Sequence, residues 1–246
     1  MNQNKIRLVL SKDSKDKFLI NNGFYDNTKL NEIHMERIKS SNLTLLANHY
    51  KSDKGTVYGC SHNYTKIYED NFKIIKDKSD NKDQIKLLEI GVACGSSLKM
   101  WASYFENSKI TGVDINQECK NLCKDFNNIE IKIGDILNLD LDEKYDIIID
   151  DGSHLAYDII QTFYKLFPFL NKGGIYVIED LKACSNINYV KSHFMFKNRK
   201  YSENIEKFIE MNSRPKIDEF YECLNKHKFK FKKYINNASE ICFIYN

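Results

Sequence analysis

From Gln84 onward, short runs of apolar residues alternate with stretches in which apolar positions recur every three or four residues. The short runs predict buried strands and the periodic stretches predict amphipathic helices. The predicted buried strands cover residues 85–90, 109–113, 129–133, 145–149 and 175–178. The predicted helices cover residues 96–105, 117–125 and 155–170. This alternation predicts an α/β fold with a doubly wound, mostly parallel sheet.

Two further strands are predicted near the C-terminus. Residues 228–234 alternate lysine with Phe229 and Phe231, and residues 240–245 contain Ile241, Phe243 and Tyr245 at alternate positions. The polar loop between them predicts an antiparallel hairpin that completes a seven-stranded sheet. The alternating lysines fit the solvated face of an edge strand, with a docking patch for phosphates as the alternative.

The residues before the sheet are more polar and less regular. Leu30, Ile33 and Ile38 indicate a weak amphipathic helix, and residues 46–72 predict irregular structure with one short helix. We therefore expect two parts: residues 1–75 as an N-terminal helical and irregular cap with an active-site segment, and residues 76–246 as the sheet domain.

Charge and composition narrow the class of protein. The 37 basic and 34 acidic side chains leave a net charge of +3, which argues against a nucleic-acid partner. We expect no membrane span, because no apolar segment approaches the required length of about 20 residues, and no secretory leader. Seven cysteines without a C-x-x-C pair indicate reduced thiols in a cytoplasmic protein rather than a zinc site.

Acidic side chains follow two of the predicted strands. Asp150 and Asp151 come before a glycine turn and His154, and Glu179 and Asp180 follow the next strand along the chain. The carboxyl ends of parallel strands meet at one edge of the sheet, which is where ligands bind. Carboxylates and a histidine there predict a hard-cation site, best suited to Mg²⁺, with a general base. Taken singly, each acid has a structural alternative as a helix cap, a turn former or a solvated loop residue.

A glycine loop follows the first predicted strand. Gly91 and Gly95 flank it, Glu89 precedes it, and Asp114 closes the second strand 23 residues after Gly91. Glycines allow close backbone approach to a ligand, and an acid at this place can accept hydrogen bonds from ribose hydroxyls. The pattern favours nucleoside binding, with a tight strand-to-helix turn as the alternative.

The E-x-G-x-x-x-G motif, Asp114 and Gly134-Asp135 resemble the Rossmann-like S-adenosylmethionine-dependent methyltransferases over residues 84–246. This resemblance implies that the glycines contact the methionine part, Asp114 the ribose and Asp135 the adenine amino group. The residues expected to contact this cofactor are Glu89, Gly91, Gly95, Ser96, Asp114, Asp135, Asp150, Lys54 and Tyr64.

A narrower resemblance rests on several separate motifs. They are YKSDKG, HNY and YE before the first strand, then LLEIGVACGSSLKMW, IIIDDGSH and GGIYVIEDL. Together they resemble the metal-dependent sugar O-methyltransferases of macrolide biosynthesis, of the macrocin and mycinamicin type, and their relatives that act on surface polysaccharides. The resemblance implies that Asp151, Glu179 and Asp180 hold Mg²⁺ and that His154, assisted by Asp151, is the catalytic base. Beyond Leu181 the chain fits no known substrate-loop pattern of this family.

The expected reaction is therefore methyl transfer to a sugar hydroxyl, on a free sugar, a nucleotide-linked sugar or a glycoside. Two alternatives stay open: a catechol- or phenol-directed Mg²⁺-dependent O-methyltransferase, and a non-catalytic S-adenosylmethionine-binding partner subunit. The low arginine content and the N-terminal motifs argue against the first, and the intact acidic motifs argue against the second. A homo-oligomer is among the expected assemblies.

The motif-rich segment of residues 50–69 is expected to fold back across the carboxyl edge of the sheet, close over the cofactor and shape the acceptor pocket. Asp53, Lys54, His62, Tyr64 and Glu69 give it many polar contacts. The alternative is a surface arm docked elsewhere, for example at a subunit contact.

Overall fold

The computed structural model describes residues 43–59, 62–80, 83–197, 204–236 and 239–246. The weak helix expected around Leu30, Ile33 and Ile38 lies outside these ranges. The division of the chain at residues 75 and 76 stays a prediction. No helix in the described ranges combines the length and apolar character that crossing a membrane would require.

Seven strands form one sheet in the described part of the chain. They are β1 (Ile85–Ile90), β2 (Ser108–Asp114), β3 (Ile129–Ile133), β4 (Tyr145–Asp150), β5 (Leu170–Ile178), β6 (Lys230–Ile235) and β7 (Glu240–Tyr245). The helices are α1 (Leu43–His49), α2 (Thr65–Asp80), α3 (Ser96–Tyr104), α4 (Ala156–Leu166), α5 (Ile187–Lys197), α6 (Ile205–Asn212) and α7 (Arg214–Lys226).

The strand order is β3-β2-β1-β4-β5-β7-β6. The first five strands run parallel, and β7 is antiparallel to both β5 and β6. The predicted fold class, a mostly parallel seven-stranded sheet closed by an antiparallel hairpin, is confirmed. The order reverses between β1 and β4, so the chain winds outward from the centre in both directions, and a crevice opens at this point in such sheets.

Apolar layers cover both faces of the sheet. On one face, Leu88 and Ile148 pack with Phe163 of α4 and Phe220 of α7. On the other, Trp101 of α3 contacts Tyr68 and Phe72 of α2, and these two rings in turn contact Phe243 of β7. Because both faces are covered, β1 and β4 each contain consecutive apolar residues, which is the pattern that made them recognisable in the sequence.

The helix before the sheet is longer than predicted. One short helix was expected within residues 46–72, but α2 runs for 16 residues from Thr65 to Asp80. Tyr68, Phe72 and Ile75 are buried at helical spacing. The lysines and aspartates between them lower the mean hydropathy of this stretch, which hid the periodicity.

The connection from α4 to β5 also differs from the prediction. The helix was expected to cover residues 155–170, with Gly173-Gly174 separating it from the next strand. Instead it ends at Leu166, and residues 167–169 form a single 3₁₀ turn. Pro168 accounts for the early end, because proline has no backbone N–H with which to continue the hydrogen-bond pattern of the helix. β5 then starts at Leu170, and its register with β4 shifts between Tyr145 and Ile147, so the two glycines lie at an irregularity within the strand.

Two other helical regions were misjudged from the sequence. The helix expected at residues 117–125 is a short 3₁₀ turn at Gln117–Asn121, capped by Asn116. Between β5 and the hairpin, the structure adds α5, α6 and α7, to which the sequence pattern assigned no element.

Asn71 joins α2 to the hairpin. Its side-chain oxygen accepts a 2.5 Å hydrogen bond from the Tyr245 hydroxyl, and its amide nitrogen donates to the Tyr234 hydroxyl at 3.1 Å.

Replacing Asn71 by Ala should lower the free energy of unfolding by about 1–3 kcal/mol, because both hydroxyls lose a partner at a half-buried contact between α2 and the hairpin. Urea unfolding measures this. Asp70→Ala, one residue away in an exposed pair with Lys66, is the matched control and should change stability little. Equal effects of the two changes would contradict the role of Asn71.

Candidate functional site

The carboxyl ends of four neighbouring strands lie in line. Ile90 is in register with Val113 on β2 and with Asp150 on β4, and Asp150 is in register with Ile178 on β5. The backbone continues this alignment beyond the strands, because Asp151 N donates to Ile90 O at 3.0 Å and Glu179 N donates to Asp150 O at 3.0 Å. The loops that carry the predicted site residues therefore start side by side.

The glycine loop is held in place by Asp114. One carboxylate oxygen accepts hydrogen bonds from Val92 N at 2.9 Å and Ala93 N at 3.2 Å, and the other accepts from Asn116 N at 2.8 Å. The acid expected at a ribose thus also orders the loop through the protein's own amides. A carboxylate has about four lone-pair positions, so it can accept further donors.

Gly91 is required by close packing within the edge itself. Its φ is +91°, and a Cβ at this position would lie 2.0 Å from the carbonyl oxygen of Asp151. Gly95, just before α3, has a φ of +75°, and a Cβ there would lie 2.9 Å from Cys123 Sγ. The two glycines let three loops approach more closely than any other residue type would permit.

The remaining residues expected near a cofactor surround this loop. Ser96 begins α3, with its hydroxyl 3.2 Å from Cys94 Sγ. Asp135 is exposed and accepts a 2.9 Å hydrogen bond from Leu137 N, which shapes the turn after β3. Ile115, which the sequence analysis did not single out, is 76% exposed directly after Asp114. The sequence did contain a signal for Ile115, because it is an apolar residue that directly follows an acid at the end of a strand.

Lys54 lies at the centre of a buried charged group. Its side chain is 1% exposed, and its Nζ lies 2.6 Å from Asp151 Oδ2, 2.8 Å from Glu179 Oε1 and 3.5 Å from Glu89 Oε1. We call Lys54, Glu89, Asp151 and Glu179 the lysine cluster. Burial alone would lower the pKa of Lys54, but the three carboxylates raise it well above its usual value, so the side chain carries its charge.

Two buried acids at the edge lack full hydrogen bonding. Within the described residues, neither carboxylate oxygen of Glu89 has a hydrogen-bond partner, and Asp150 Oδ2 has none. Burial raises the pKa of Glu89 to about 7, opposed by Lys54. Burial also raises the pKa of Asp150 to about 7, opposed by a hydrogen bond from Gly152 N. Unpaired buried acceptors are costly, so these two acids are suited to receive donors from a ligand.

Asp180 is held by a separate set of donors. Its Oδ1 accepts hydrogen bonds from the Tyr64 hydroxyl at 2.7 Å and the Ser239 hydroxyl at 2.6 Å. Its Oδ2 lies 3.5 Å from Nε2 of His62, whose ring stacks on Tyr64. Burial would raise the pKa of Asp180, but the hydrogen bond from Ser239 and the nearby histidines lower it overall. The carboxylate is thus kept ionised.

Asp151, His154 and Asp180 come together at the edge. One ligand atom from each lies within 4.8 Å of the others, which is a spacing that could hold a metal ion, and all three side chains are half-buried. His154 Nε2 is 3.9 Å from Asp151 Oδ1. Glu179, expected as a third carboxylate ligand, contacts Lys54 and accepts a short hydrogen bond from the Tyr68 hydroxyl. Its assignment as a ligand stays a prediction.

The segment before α2 reaches this edge, in agreement with part of the sequence prediction. Lys54 contacts the residue after β4, and Tyr64 contacts the second residue after β5. The turn closes on itself through backbone hydrogen bonds from His62 N to Asp53 O and from Tyr64 N to Lys54 O. The expected closure over a bound cofactor stays a prediction.

Helix α5 borders His154 and was missed in the sequence. The Tyr189 hydroxyl donates a 3.0 Å hydrogen bond to Ser153 O, and the Tyr189 ring lies 6.4 Å from the His154 ring. The ring of His193 lies 4.4 Å from that of Tyr189. No residue spacing in this stretch pointed to a site, so only the folded chain reveals these aromatic neighbours.

Comparisons with known proteins agree with the resemblance stated from the sequence. The family model described as "Methyltransferase domain" matches residues 81–238. The 8-demethyl-8-alpha-L-rhamnosyl tetracenomycin-C 2'-O-methyltransferase of Streptomyces olivaceus is 35% identical over 149 residues, which cover 56% of this chain and 37% of the relative. The mycinamicin VI 2''-O-methyltransferase of Micromonospora griseorubida is 32% identical over 154 residues, covering 58% and 37%. The chain thus spans about two fifths of the length of these relatives.

A solved structure shares the fold. The MycE methyltransferase from the mycinamycin biosynthetic pathway, in complex with Mg, SAH and mycinamycin VI, superimposes with a TM-score of 0.61 at 21% identity. The match covers 96% of this chain and 63% of that protein. The expected resemblance to methyltransferases of the macrocin and mycinamicin type is confirmed.

The close approach at Gly91 gives a stability prediction with an internal control. Gly91→Ala should destabilise the protein by about 1–3 kcal/mol more than Gly173→Ala, because overpacking adds to the backbone strain. Gly173 has a φ of +77°, but a Cβ added there would meet no atom within 4 Å, so its replacement isolates the strain. Chemical denaturation compares the two, and equal losses would mean that the contact with the Asp151 carbonyl does not constrain the loop.

Proposed function

We propose that this chain, which belongs to the methyltransferase-domain family, transfers a methyl group from S-adenosylmethionine to a sugar hydroxyl with the help of Mg²⁺. The observation that carries the proposal is the meeting of Asp151, His154 and Asp180 beside the glycine loop. Residues that can hold a cation and a residue that can accept a proton then lie beside the loop expected to bind the cofactor. The relatives, which are named as methyltransferases of rhamnosyl and other glycosylated compounds, support a sugar acceptor.

The glycine loop and its neighbours fit S-adenosylmethionine. Gly91 and Gly95 would face the methionine part, Asp114 would accept from the ribose hydroxyls, and Asp135 would receive the adenine amino group. Ile115 offers an exposed apolar side chain on which a base can pack. When bound, S-adenosylmethionine supplies a methyl group activated by its sulfonium, so the protein's task is binding and alignment.

The donors at the edge fit Mg²⁺. Asp151 and Asp180 supply carboxylate oxygens, which are ligands that Mg²⁺ prefers, and family resemblance adds Glu179. Tyr64 and Ser239 orient Asp180 by occupying Oδ1, which leaves Oδ2 free of hydroxyl donors. A bound Mg²⁺ would supply Lewis acidity toward an acceptor hydroxyl.

His154 is the proposed base. It is 20% exposed and has a φ of +53°, an uncommon conformation for a residue with a side chain. Asp151 Oδ1 lies 3.9 Å from Nε2, so its charge would stabilise the protonated ring, and Tyr189 holds the preceding carbonyl by a hydrogen bond. His154 would take the proton from the acceptor hydroxyl at Nε2 as the methyl group is transferred.

The class of compound that bears the acceptor hydroxyl is also part of the proposal. A glycoside or a nucleotide-linked sugar of a natural product or surface polysaccharide fits the resemblance, and we place the reaction in the cytoplasm, with a homo-oligomer as the proposed assembly. The phenol-directed and non-catalytic alternatives are outcomes of the acceptor assay below, because methylation of catechol alone, or of nothing, would favour them.

Cofactor binding is the first test. S-adenosylhomocysteine should bind with micromolar-range affinity, and Asp114→Ala should weaken binding by about 1–3 kcal/mol through lost hydrogen bonds to the ribose and a loosened loop. Isothermal titration calorimetry measures both. Glu118→Ala, which removes an exposed carboxylate four residues away, is the control and should bind normally. Binding of NAD in place of S-adenosylhomocysteine would overturn the assignment.

The reaction itself is the second test. With S-adenosylmethionine, Mg²⁺ and a panel of rhamnosides, nucleotide sugars and catechol, we expect methylation of a sugar that stops in excess EDTA. His154→Ala should lower kcat by about 10²–10⁴, the usual contribution of a positioned base. A Mn²⁺ titration accompanies it: retained Mn²⁺ binding by the variant supports the base, and lost Mn²⁺ binding would make His154 a metal ligand instead. Full turnover in EDTA would remove the metal from the proposal.

A further inference from the structure

In the lysine cluster, the ammonium of Lys54 lies beside carboxylates that are also proposed to bind Mg²⁺. The ammonium is a fixed part of the protein, whereas Mg²⁺ can bind and dissociate. The ammonium of Lys54 lies within 4 Å of three carboxylates that end three neighbouring strands. Its side chain is almost fully buried, so solvent screens these contacts weakly. Lys54 comes from the segment before α2, far from those strands in sequence.

Without this ammonium the edge would be strongly repulsive. Glu89 and Glu179 are at most 2% exposed, and Asp151 is 20% exposed. Buried carboxylates that lack a cation cost several kcal/mol each, because water no longer solvates them. Lys54 therefore offsets a large part of the charge before any ligand arrives, and the backbone contacts between the strand ends can form.

The ammonium also uses the oxygens that a divalent ion would attract. Lys54 takes Asp151 Oδ2 and Glu179 Oε1, and these two residues are two of the three carboxylate ligands in the proposed metal site. Asp151 Oδ1 is left facing His154. A divalent ion bound at the proposed site would thus share this pair of acids with Lys54.

We propose that Lys54 is a positioning residue that supplies the first of two cations to the acidic edge, and that Lys54 and a divalent ion are partly interchangeable there. This inference rests on the metal site of the proposed function. Lys54 keeps the edge assembled without metal, and in return it weakens the binding of the divalent ion by like-charge repulsion. The metal can then exchange while the fold is retained.

A merely structural buried lysine would behave differently. Its loss would lower stability by the same amount with and without metal, because no ligand would share its partners. A lysine whose only role was to aim the carboxylates would, when lost, weaken metal binding. The inference requires the opposite change in metal affinity: loss of Lys54 must strengthen metal binding by the folded protein.

The experiment compares wild type with Lys54→Met, which keeps the length of the side chain and removes its charge. Mn²⁺ is titrated against each protein, and thermal unfolding is followed with and without Mn²⁺. We expect about tenfold tighter Mn²⁺ binding by Lys54→Met, since a unit charge close to a divalent ion is worth at least that factor at an effective dielectric constant of about 20. The Mn²⁺-induced rise in Tm should be larger in the variant than in wild type, because stabilisation by a ligand grows with the logarithm of its affinity for the folded state. Lys66→Met, at an exposed ion pair on α2, is the matched control and should respond as wild type does.

The outcomes separate this inference from the proposed function. Equal or weaker Mn²⁺ binding by Lys54→Met, with normal binding by wild type, overturns the inference and leaves the metal site standing. Absence of Mn²⁺ binding by every protein overturns the metal site and the inference together.

A second variant keeps the test decisive if Lys54→Met fails to fold. Glu89→Gln removes one buried negative charge from the lysine cluster. It should destabilise wild type, where Glu89 is paired, and stabilise the Lys54→Met background, where it is not. Mn²⁺ is then titrated against the folded double variant, Lys54→Met with Glu89→Gln. If the double variant fails to fold as Lys54→Met does, although Glu89→Gln alone folds, Lys54 does not act through its charge and the inference fails.

Discussion

The contact between one buried ammonium and three carboxylates is the interaction on which the rest of this molecule depends. Lys54 comes from a turn before the sheet, whereas Glu89, Asp151 and Glu179 come from the ends of β1, β4 and β5. These strand ends are aligned by register, so their acids are forced together by the fold. An ammonium at their centre converts that repulsion into an attraction and fixes the preceding segment to the edge. Asp151 links this contact to the group of Asp151, His154 and Asp180 that could hold a metal ion.

Backbone strain is concentrated around the same edge. Non-glycine residues with positive φ include Asn63, Ala93, His154 and Asp180, one in each of four segments that meet there. Each such residue costs about 1–3 kcal/mol and persists only where its surroundings hold it in place. Here the holding contacts are visible: Asp114 binds the amide of Ala93, and two hydroxyls bind the carboxylate of Asp180. The positive φ values therefore coincide with the segments that carry the candidate site residues.

The sequence predicted those parts of the fold that depend on local pattern. Apolar runs indicated the strands, and the rule that ligands bind at the carboxyl ends of parallel strands was enough to bring Asp151, His154 and Asp180 to one place. What it could not predict depends on distant partners. Lys54 and Asp151 are 97 positions apart, and nothing near either residue indicates their contact. The length of α2 was hidden by polar residues on its exposed side, and Tyr189 became a neighbour of His154 only through the packing of α5.

The hairpin that closes the sheet has a consequence for when this site can exist. Ser239 lies just before the last strand, and its hydroxyl holds Asp180, 59 residues earlier in the chain. Tyr64 holds the same carboxylate from 116 residues before it. Contacts between such distant residues form late, because long loops must close before they contribute. Until β6 and β7 have formed, the glycine loop can be in place while Asp180 lacks the hydrogen bond from Ser239. The loop proposed to bind the cofactor can therefore be complete before the acid proposed to bind the cation is fully held.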